Sequence, residues 1–376
     1  MNPSQHQPND EAPRRAKPHE GPRAFSQKRT PGGLEQRLLA RTRRAGFRRE
    51  DRLVVAFSGG RDSLALAAAL RRPRDVIGLE VLLVHIDHRL RAGSGDDAAR
   101  AADLAAALGL DFQGLVVGAI PQEMHPGVGL EEAARRERYR LLVEAAGEAG
   151  AKAIATGHHQ QDQAETVLLH LLRGGGVHGA VGMSERAAPV QGSPASDISP
   201  ELSTPWLWRP MLAESRLTID AYVAQIGLEW IEDPSNADLA LRRNVVRNQI
   251  LPILEAEFPG ASAALARYAS LAAADDEALE QIVQSALEGQ VDPGGRLRVA
   301  ALARHPLAVQ RRMIRRWFGD RTGYRELTAD RTDAILDLGS SGRGNRTIEA
   351  GGGWTVSLQD GTLRARRNGM DEREAR

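Results

Sequence analysis

The chain reads as an α/β protein: a Rossmann-like parallel sheet with helices on both faces, followed by a smaller, mostly helical C-terminal domain. Three observations predict this. From residue 53 onward, short apolar runs alternate four times with helical stretches, the pattern of a parallel sheet. Between the first strand and the first helix of that series lies a glycine-rich turn, Ser58-Gly59-Gly60-Arg61-Asp62-Ser63. Beyond Pro259-Gly260 the alternation stops and long helical patterns take over.

Composition sets the bounds. The 376 residues suffice for two domains, and an apolar content of 41% is ordinary for a globular chain. The formal net charge is +1, so a nucleic-acid surface must come from local clustering. With no cysteine, the chain cannot form disulfides, thiolate metal sites or Fe–S clusters, and has no cysteine nucleophile. No apolar run reaches the length of a membrane span and no signal-peptide pattern opens the chain, so a cytoplasmic protein with no membrane partner is expected.

Residues 1–33 are polar and Pro-rich and read as a disordered basic arm. A short basic helix follows near 34–46. The domain assigned to 34–255 then runs strand 53–57, helix 63–71, strand 79–87, helix 96–108, strand 112–117, helix 130–148, strand 151–156 and helix 161–172. Residues 185–203 read as a poorly ordered insertion. Order resumes at Trp206 to Met211, a helix is expected at 215–227, and Arg242-Arg243-Asn244 and Arg247 open another that ends near Pro252. The second domain, 260–367, holds a long helix at 262–288, another at 307–318 and a terminal hairpin with Asp360-Gly361 as its turn. Residues 368–376 read as a disordered tail.

Ligands of a parallel sheet bind beyond the carboxyl ends of its strands, and those ends carry the chemistry here. In the glycine loop, glycines allow close backbone approach and the helix N-terminus offers unpaired N–H groups, so phosphate is the natural ligand. Ser58 and Ser63 add hydroxyls, and Asp62 is a candidate magnesium ligand. The lysine of a Walker loop is absent. The second strand ends in His85-Ile86-Asp87-His88-Arg89-Leu90-Arg91, and the helix near 130 carries Glu131-Glu132-Ala133-Ala134-Arg135-Arg136-Glu137-Arg138-Tyr139. In isolation the latter reads first as a face of salt bridges and only second as an arginine brought near phosphates. The fourth strand runs into Ala155-Thr156-Gly157-His158-His159-Gln160-Gln161-Asp162-Gln163-Ala164-Glu165-Thr166. Asp162 and Glu165, three apart, share a helix face and can receive a cationic amine. Their simpler reading is first-turn helix acids. Arg173, Arg209, Arg242, Arg243 and Arg247, with Arg311, Arg312, Arg315 and Arg316 in the second domain, suit a polyanion.

With these clusters assembled, the loop resembles the SGGxDS loop of the N-type ATP pyrophosphatases (the PP-loop family). The HIDHRLR stretch, the E-x-A-A-R-x-x-R-Y stretch, ATGHHxxDxAET, Leu172-Arg173-Gly174, Arg209-Pro210 and WIEDPSN with Arg243-Asn244 are similar, in order over about 52–255, to the tRNA(Ile)-lysidine synthetase family. The resemblance implies a ligase. ATP would adenylate the C2 oxygen of the wobble cytidine in the CAU anticodon of an isoleucine tRNA. The amine of free L-lysine would then displace AMP. It implies ATP at Ser58, Gly59, Gly60, Arg61, Asp62, Ser63, His85 and His158, and magnesium at Asp62. Arg135 or Arg138 would act on the transferring phosphate, and Asp162 and Glu165 on lysine. Arg173, Arg209, Arg243, Arg247, Arg312 and Arg316 would contact tRNA. Oligomeric state stays open, a homodimer included. Arg89 departs from the family, where a glycine is common. Among rivals, an RNA thiolase needs cysteines, a small-nucleotide amide synthetase needs no arginines in two domains, and a decayed RNA-binding scaffold would not keep the loop and both acids.

Overall fold

The computed structural model describes residues 33–89, 94–118, 129–174, 176–187, 205–234, 238–324, 327–340 and 346–369. The arm up to residue 32, most of the 185–203 insertion, Leu90 and Arg91, Ser235 and Asn236, and the tail beyond 369 lie outside the described residues. Two compact units emerge, Met1–Leu169 with Met183–Ala266 and His170–Gly182 with Arg267–Arg376. Pro259-Gly260 marks the start of a helix, Ala261–Leu287, and the division falls inside it.

The first unit is built on strands β1 (Arg52–Ala56), β2 (Glu80–Asp87), β3 (Asp111–Val116), β4 (Ala153–Ala155), β5 (Arg186–Ala187) and β6 (Trp206–Trp208). Their order is β3-β2-β1-β4-β6-β5, and all pairs are parallel except β5 with β6. Side chains of β1 alternate between two cores, as strand geometry requires. Leu53 and Val55 join Leu38, Leu64, Leu66 and Leu104 on one face; Val54 joins Leu142, Ala146 and Ile154 on the other. The sheet is therefore covered on both faces, which explains why β1 reads as a continuous apolar run. The chain grows outward in both directions from β1, so the sheet's switch point lies between β1 and β4.

Two details were not visible in the sequence. Trp206-Leu207-Trp208 is a true parallel strand, too short to show a period, with both tryptophans stacked around Phe47 at 5.7 and 5.0 Å. The helix expected at 63–71 runs from Arg61 to Ile77, carrying Pro73 within it, and ends on Gly78 at φ 83°.

The second unit packs helices Ala261–Leu287, Leu307–Thr322 and Ala329–Ser340 with an antiparallel sheet of order β7-β10-β9-β8. Here β7 is Leu297–Arg298, β8 Thr347–Gly351, β9 Trp354–Gln359 and β10 Thr362–Arg367. The expected hairpin is β9–β10, and Asp360 and Gly361 both take positive φ, 46° and 71°, as a two-residue hairpin turn demands. Strands β7 and β8 widen it to four strands, so this unit is less purely helical than expected.

Candidate active site at the switch point

The glycine loop connects β1 to the helix Arg61–Ile77. Gly59 has φ 75°, and a Cβ there would collide with the Ile231 side chain. Ile231 itself donates its N–H to the Gly59 carbonyl at 2.9 Å, while Arg61 lies over the Trp230 ring at 4.8 Å. The WIEDPSN stretch thus backs the loop from a distance of about 170 residues in sequence, the span from Gly59 to Ile231. Ser58 Oγ accepts from the Gly60 N–H at 3.2 Å and lies 3.2 Å from Ser63 Oγ, which donates to the Gly60 carbonyl at 2.9 Å. No side chain caps the helix that follows. Its first N–H groups and the two hydroxyls therefore lie together at this turn, a donor set of the kind that suits phosphate.

The loop after β4 closes the other side. A Cβ on Gly157 would stand 3.0 Å from the Asp62 carbonyl carbon, so glycine lets the loop after β4 lie close against the start of the helix Arg61–Ile77. His159 is fully buried, and its Nε2 sits 3.5 Å from both Asp62 and Asp162 carboxylates with no hydrogen-bond partner. Arg216, which the sequence reading did not single out, places Nη1 2.6 Å from Asp62 Oδ1. Burial opposes ionisation of Asp62, as does Asp162, but His159 and Arg216 outweigh them and hold its pKa below the usual range. Among the described residues no group of three or more metal-ligating side chains exists. Asp62 and Asp162 nonetheless converge on one imidazole, and magnesium at phosphates takes only one or two carboxylates. The donor set fits magnesium carried in with a nucleotide.

Asp162 and Glu165 lie on the first turns of the helix Gln160–Leu172, and both are buried, Glu165 completely. They are not open. Arg247 directs Nε to Glu165 Oε1 at 2.6 Å and Nη2 to Glu165 Oε2 and Asp162 Oδ1 at 2.9 and 2.8 Å. Arg243 directs Nε to Glu165 Oε2 at 2.8 Å and Nη2 to Asp162 Oδ1 at 3.3 Å. For Asp162, burial works against the charge, yet His159, His158, Arg243 and Arg247 hold its pKa well below the carboxylate range. The simple first-turn reading of these acids is insufficient: they bind guanidiniums from another part of the chain.

The arginine cluster on Leu130–Glu148 is resolved by geometry. Arg136 pairs within its own helix with Glu132 at 3.0 Å. Arg138 donates to His88 Nε2 at 3.4 Å, at the end of β2. Arg135 lies over the Tyr139 ring at 5.3 Å and is close enough to His158 to oppose its protonation. Burial pushes the His158 imidazole down to about 3; Asp162 opposes this, and Arg209, Arg243 and Arg135 reinforce it. His158 is therefore neutral, its Nδ1 2.7 Å from the Thr156 hydroxyl. His85 is buried and donates Nδ1 to the Phe57 carbonyl at 3.0 Å, so it holds up the residue before the loop.

The arginines read as one RNA-facing set differ in exposure and in partners. Arg209 is only 6% exposed and donates Nη1 to the Ser184 carbonyl at 2.7 Å. Arg173 is exposed. In the second unit Arg312 pairs with Asp276 at 2.6 Å and Glu280 at 3.1 Å, and Arg316 with Asp320 at 2.9 Å and Glu280 at 3.5 Å. Arg89 has φ 50°, the left-handed conformation that makes glycine common at such a position.

A parallel sheet with an uncapped glycine loop and paired acids at its switch point defines an ATP-using PP-loop protein. The PP-loop domain family matches residues 34–254, and the TilS substrate binding domain family matches residues 297–368. The chain belongs to the tRNA(Ile)-lysidine synthase family. Relatives of that name include one from Salinispora tropica, 40% identical over 83% of this chain and 90% of its own length. Another, from Deinococcus deserti, is 38% identical over 70% of this chain but only 43% of its own length. A third, from Thermus thermophilus, is 40% identical over 71% of this chain and 48% of its own length. A U34-tRNA thiolase from Methanococcus maripaludis, solved with its [4Fe-4S] cluster, shares the fold at TM-score 0.50 and 15% identity, covering 64% of this chain and 78% of that one.

Proposed function

We propose that this chain is a ligase that joins lysine to the wobble cytidine of an isoleucine tRNA with a CAU anticodon, at the expense of ATP. The observation that carries it is the convergence, at one switch point, of an uncapped phosphate loop and two buried carboxylates arranged to select a cation. On this reading the loop N–H groups, Ser58 and Ser63 hold the departing pyrophosphate, with Asp62 as the residue that would bind magnesium. That ion would neutralise phosphate charge when bound. Of the two candidates Arg135 and Arg138, Arg135 faces the charge that develops on the α-phosphate, since it lies by His158. Asp162 and Glu165 receive the lysine ammonium. The amine nitrogen, once it has given a proton to solvent, bonds to C2 of the cytidine and sheds its second proton as the C2–O bond to AMP breaks and AMP leaves. Arg173 and the arginines of the second domain face RNA. Domains 34–255 and 260–367 divide this labour. No helix among the described residues is long and apolar enough to cross a membrane, and the proposed substrates place the enzyme in the cytoplasm.

The test is direct: purified protein, ATP, magnesium, labelled L-lysine and CAU-anticodon tRNA should yield labelled RNA with one AMP and one pyrophosphate per lysine. Unlabelled RNA in the presence of all four would sink the reading.

A further inference from the structure

His159 has no task in the reaction proposed above, yet it is fully buried and its Nε2 is left without a hydrogen-bond partner. A buried polar nitrogen is costly to leave idle. Its place in the chain shows how the ring is held. His159 directly precedes the helix Gln160–Leu172, and its Nδ1 accepts the Gln161 backbone N–H at 3.2 Å, as the side chain of a helix cap does. In return Asp162, three residues on, accepts the His159 backbone N–H at 2.9 Å. A backbone N–H can only donate, so Nδ1 carries no proton and the ring proton sits on Nε2. In that tautomer Nε2 has no lone pair to offer a metal; it is a donor.

The donor faces two acceptors at once. Nε2 stands 3.5 Å from Asp62 Oδ2 and 3.5 Å from Asp162 Oδ2. Asp62 lies in the first turn of the helix Arg61–Ile77, and Asp162 in the first turn of Gln160–Leu172. The two charges oppose each other: Asp162 disfavours ionisation of Asp62, whereas His159 favours it. Both distances are just beyond those of a good N–H···O bond, so a small shift of either carboxylate closes one. We propose that His159 is a positioning residue that bridges the nucleotide and lysine halves of the site. Its one Nε2–H sets the spacing of Asp62 and Asp162, and each acid binds its own partner at full affinity only with that donor in place. This rests on the roles proposed above for the two acids. Its consequence is that one substitution weakens two unlike affinities together.

Two variants separate the donor from the bulk of the ring. His159→Leu fills similar space without a donor, whereas His159→Gln carries an amide N–H that reaches the Nε2 position. The lysine KM is read in the transfer assay with CAU-anticodon tRNA. Equilibrium dialysis of labelled ATP, with and without magnesium and with tRNA and lysine omitted, reads the Asp62 half without turnover. His159→Leu should raise the lysine KM about tenfold and cut the tightening of ATP binding by magnesium about tenfold, the low end for a hydrogen bond to a charged group because the donor is shared. At saturating lysine and ATP, kcat should fall less than either affinity. His159→Gln should return both affinities to within about threefold of wild type. If the leucine variant does not fold, His159→Asn, whose shorter amide stops short of both acids, takes its place. Both affinities unchanged, a loss confined to one of them, or a glutamine variant no better than leucine overturns the bridge, while lysine transfer by the wild type upholds the functional reading. Wild-type protein that transfers no lysine overturns that reading and the bridge with it.

Discussion

Arginines meet carboxylates in two networks of this chain, and the two are built in opposite ways. At the switch point, Asp162 and Glu165 are buried and Arg243 and Arg247 lie outermost. In the second unit, Arg312 is 15% exposed and reaches between the helices Ala261–Leu287 and Leu307–Thr322 to Asp276, which is 12% exposed. Below it pack Met313, Ile314, Trp317 and Phe318. The same ion pair thus serves two ends. At the switch point the acids are the buried partners and the guanidiniums the exposed ones. A half-buried arginine between helices links them through Asp276 and Glu280.

The largest effect that can test this contrast lies beside the first network. Asp62→Ala removes the carboxylate facing His159 and Arg216, and should lower lysine transfer by at least about a thousandfold, roughly 4 kcal/mol. RNA binding, followed by filter retention, should stay within about threefold; equal loss of both would point to misfolding. Next, Glu165→Gln should raise the lysine KM about 10–150-fold, the equivalent of roughly 1.5–3 kcal/mol for a charged hydrogen bond, while the ATP KM barely moves. If both shift together, the acid only positions Arg243 and Arg247.

In the second network, Arg312→Ala leaves Asp276 and Glu280 without this partner and should destabilise the protein by about 2–3 kcal/mol in urea unfolding, less than a fully buried pair because Glu280 is 37% exposed. The salt dependence of tRNA binding separates strut from contact. An unchanged slope makes Arg312 a strut, and a slope smaller by about one makes it a phosphate contact.

A smaller effect comes from pH. Folding lowers the His158 pKa from 6.5 to about 3, so above pH 6.5 neither state carries the proton and stability is level. Below it the unfolded chain binds a proton that the folded chain refuses. Stability should then fall by at most about 1.4 kcal/mol per pH unit, somewhat less because solvent partly reaches the ring. His158→Gln should flatten that part of the profile; an unchanged profile would assign the slope elsewhere. Least of all, Arg89→Gly exchanges left-handed strain for glycine's chain entropy, and should shift stability by no more than about 1 kcal/mol, upward. A loss in thermal melting would show that the Arg89 side chain contributes more than its backbone costs.

Much of the candidate site was legible because its parts are contiguous motifs. The glycine loop, the two histidines and the acids at 162 and 165 each lie within a few residues of a strand end, where a parallel sheet collects its ligands. The partners were not legible. Arg216 meets Asp62 across 154 positions, and Arg247 meets Glu165 across 82. Arg243 and Arg247 read as one basic face, and nothing in their spacing told that the face turns inward onto acids. Arg209 shared their composition and ended up buried. The hairpin was visible through Asp360-Gly361; the two-residue strand β7 beside it carried no pattern.

What the sequence determined by itself was therefore the first four strands, the long helices and the residue types at each strand end. Periodicity, glycine conformation and helix starts act over a handful of residues and depend on nothing distant. What only the tertiary structure decided was who pairs with whom. Coulombic and hydrogen-bond energies depend on distance through space and on burial, and both are set when the sheet brings β1 beside β4 and the segment at 242–250 across them. The acids could be named from the chain; that they wait under two arginines could not.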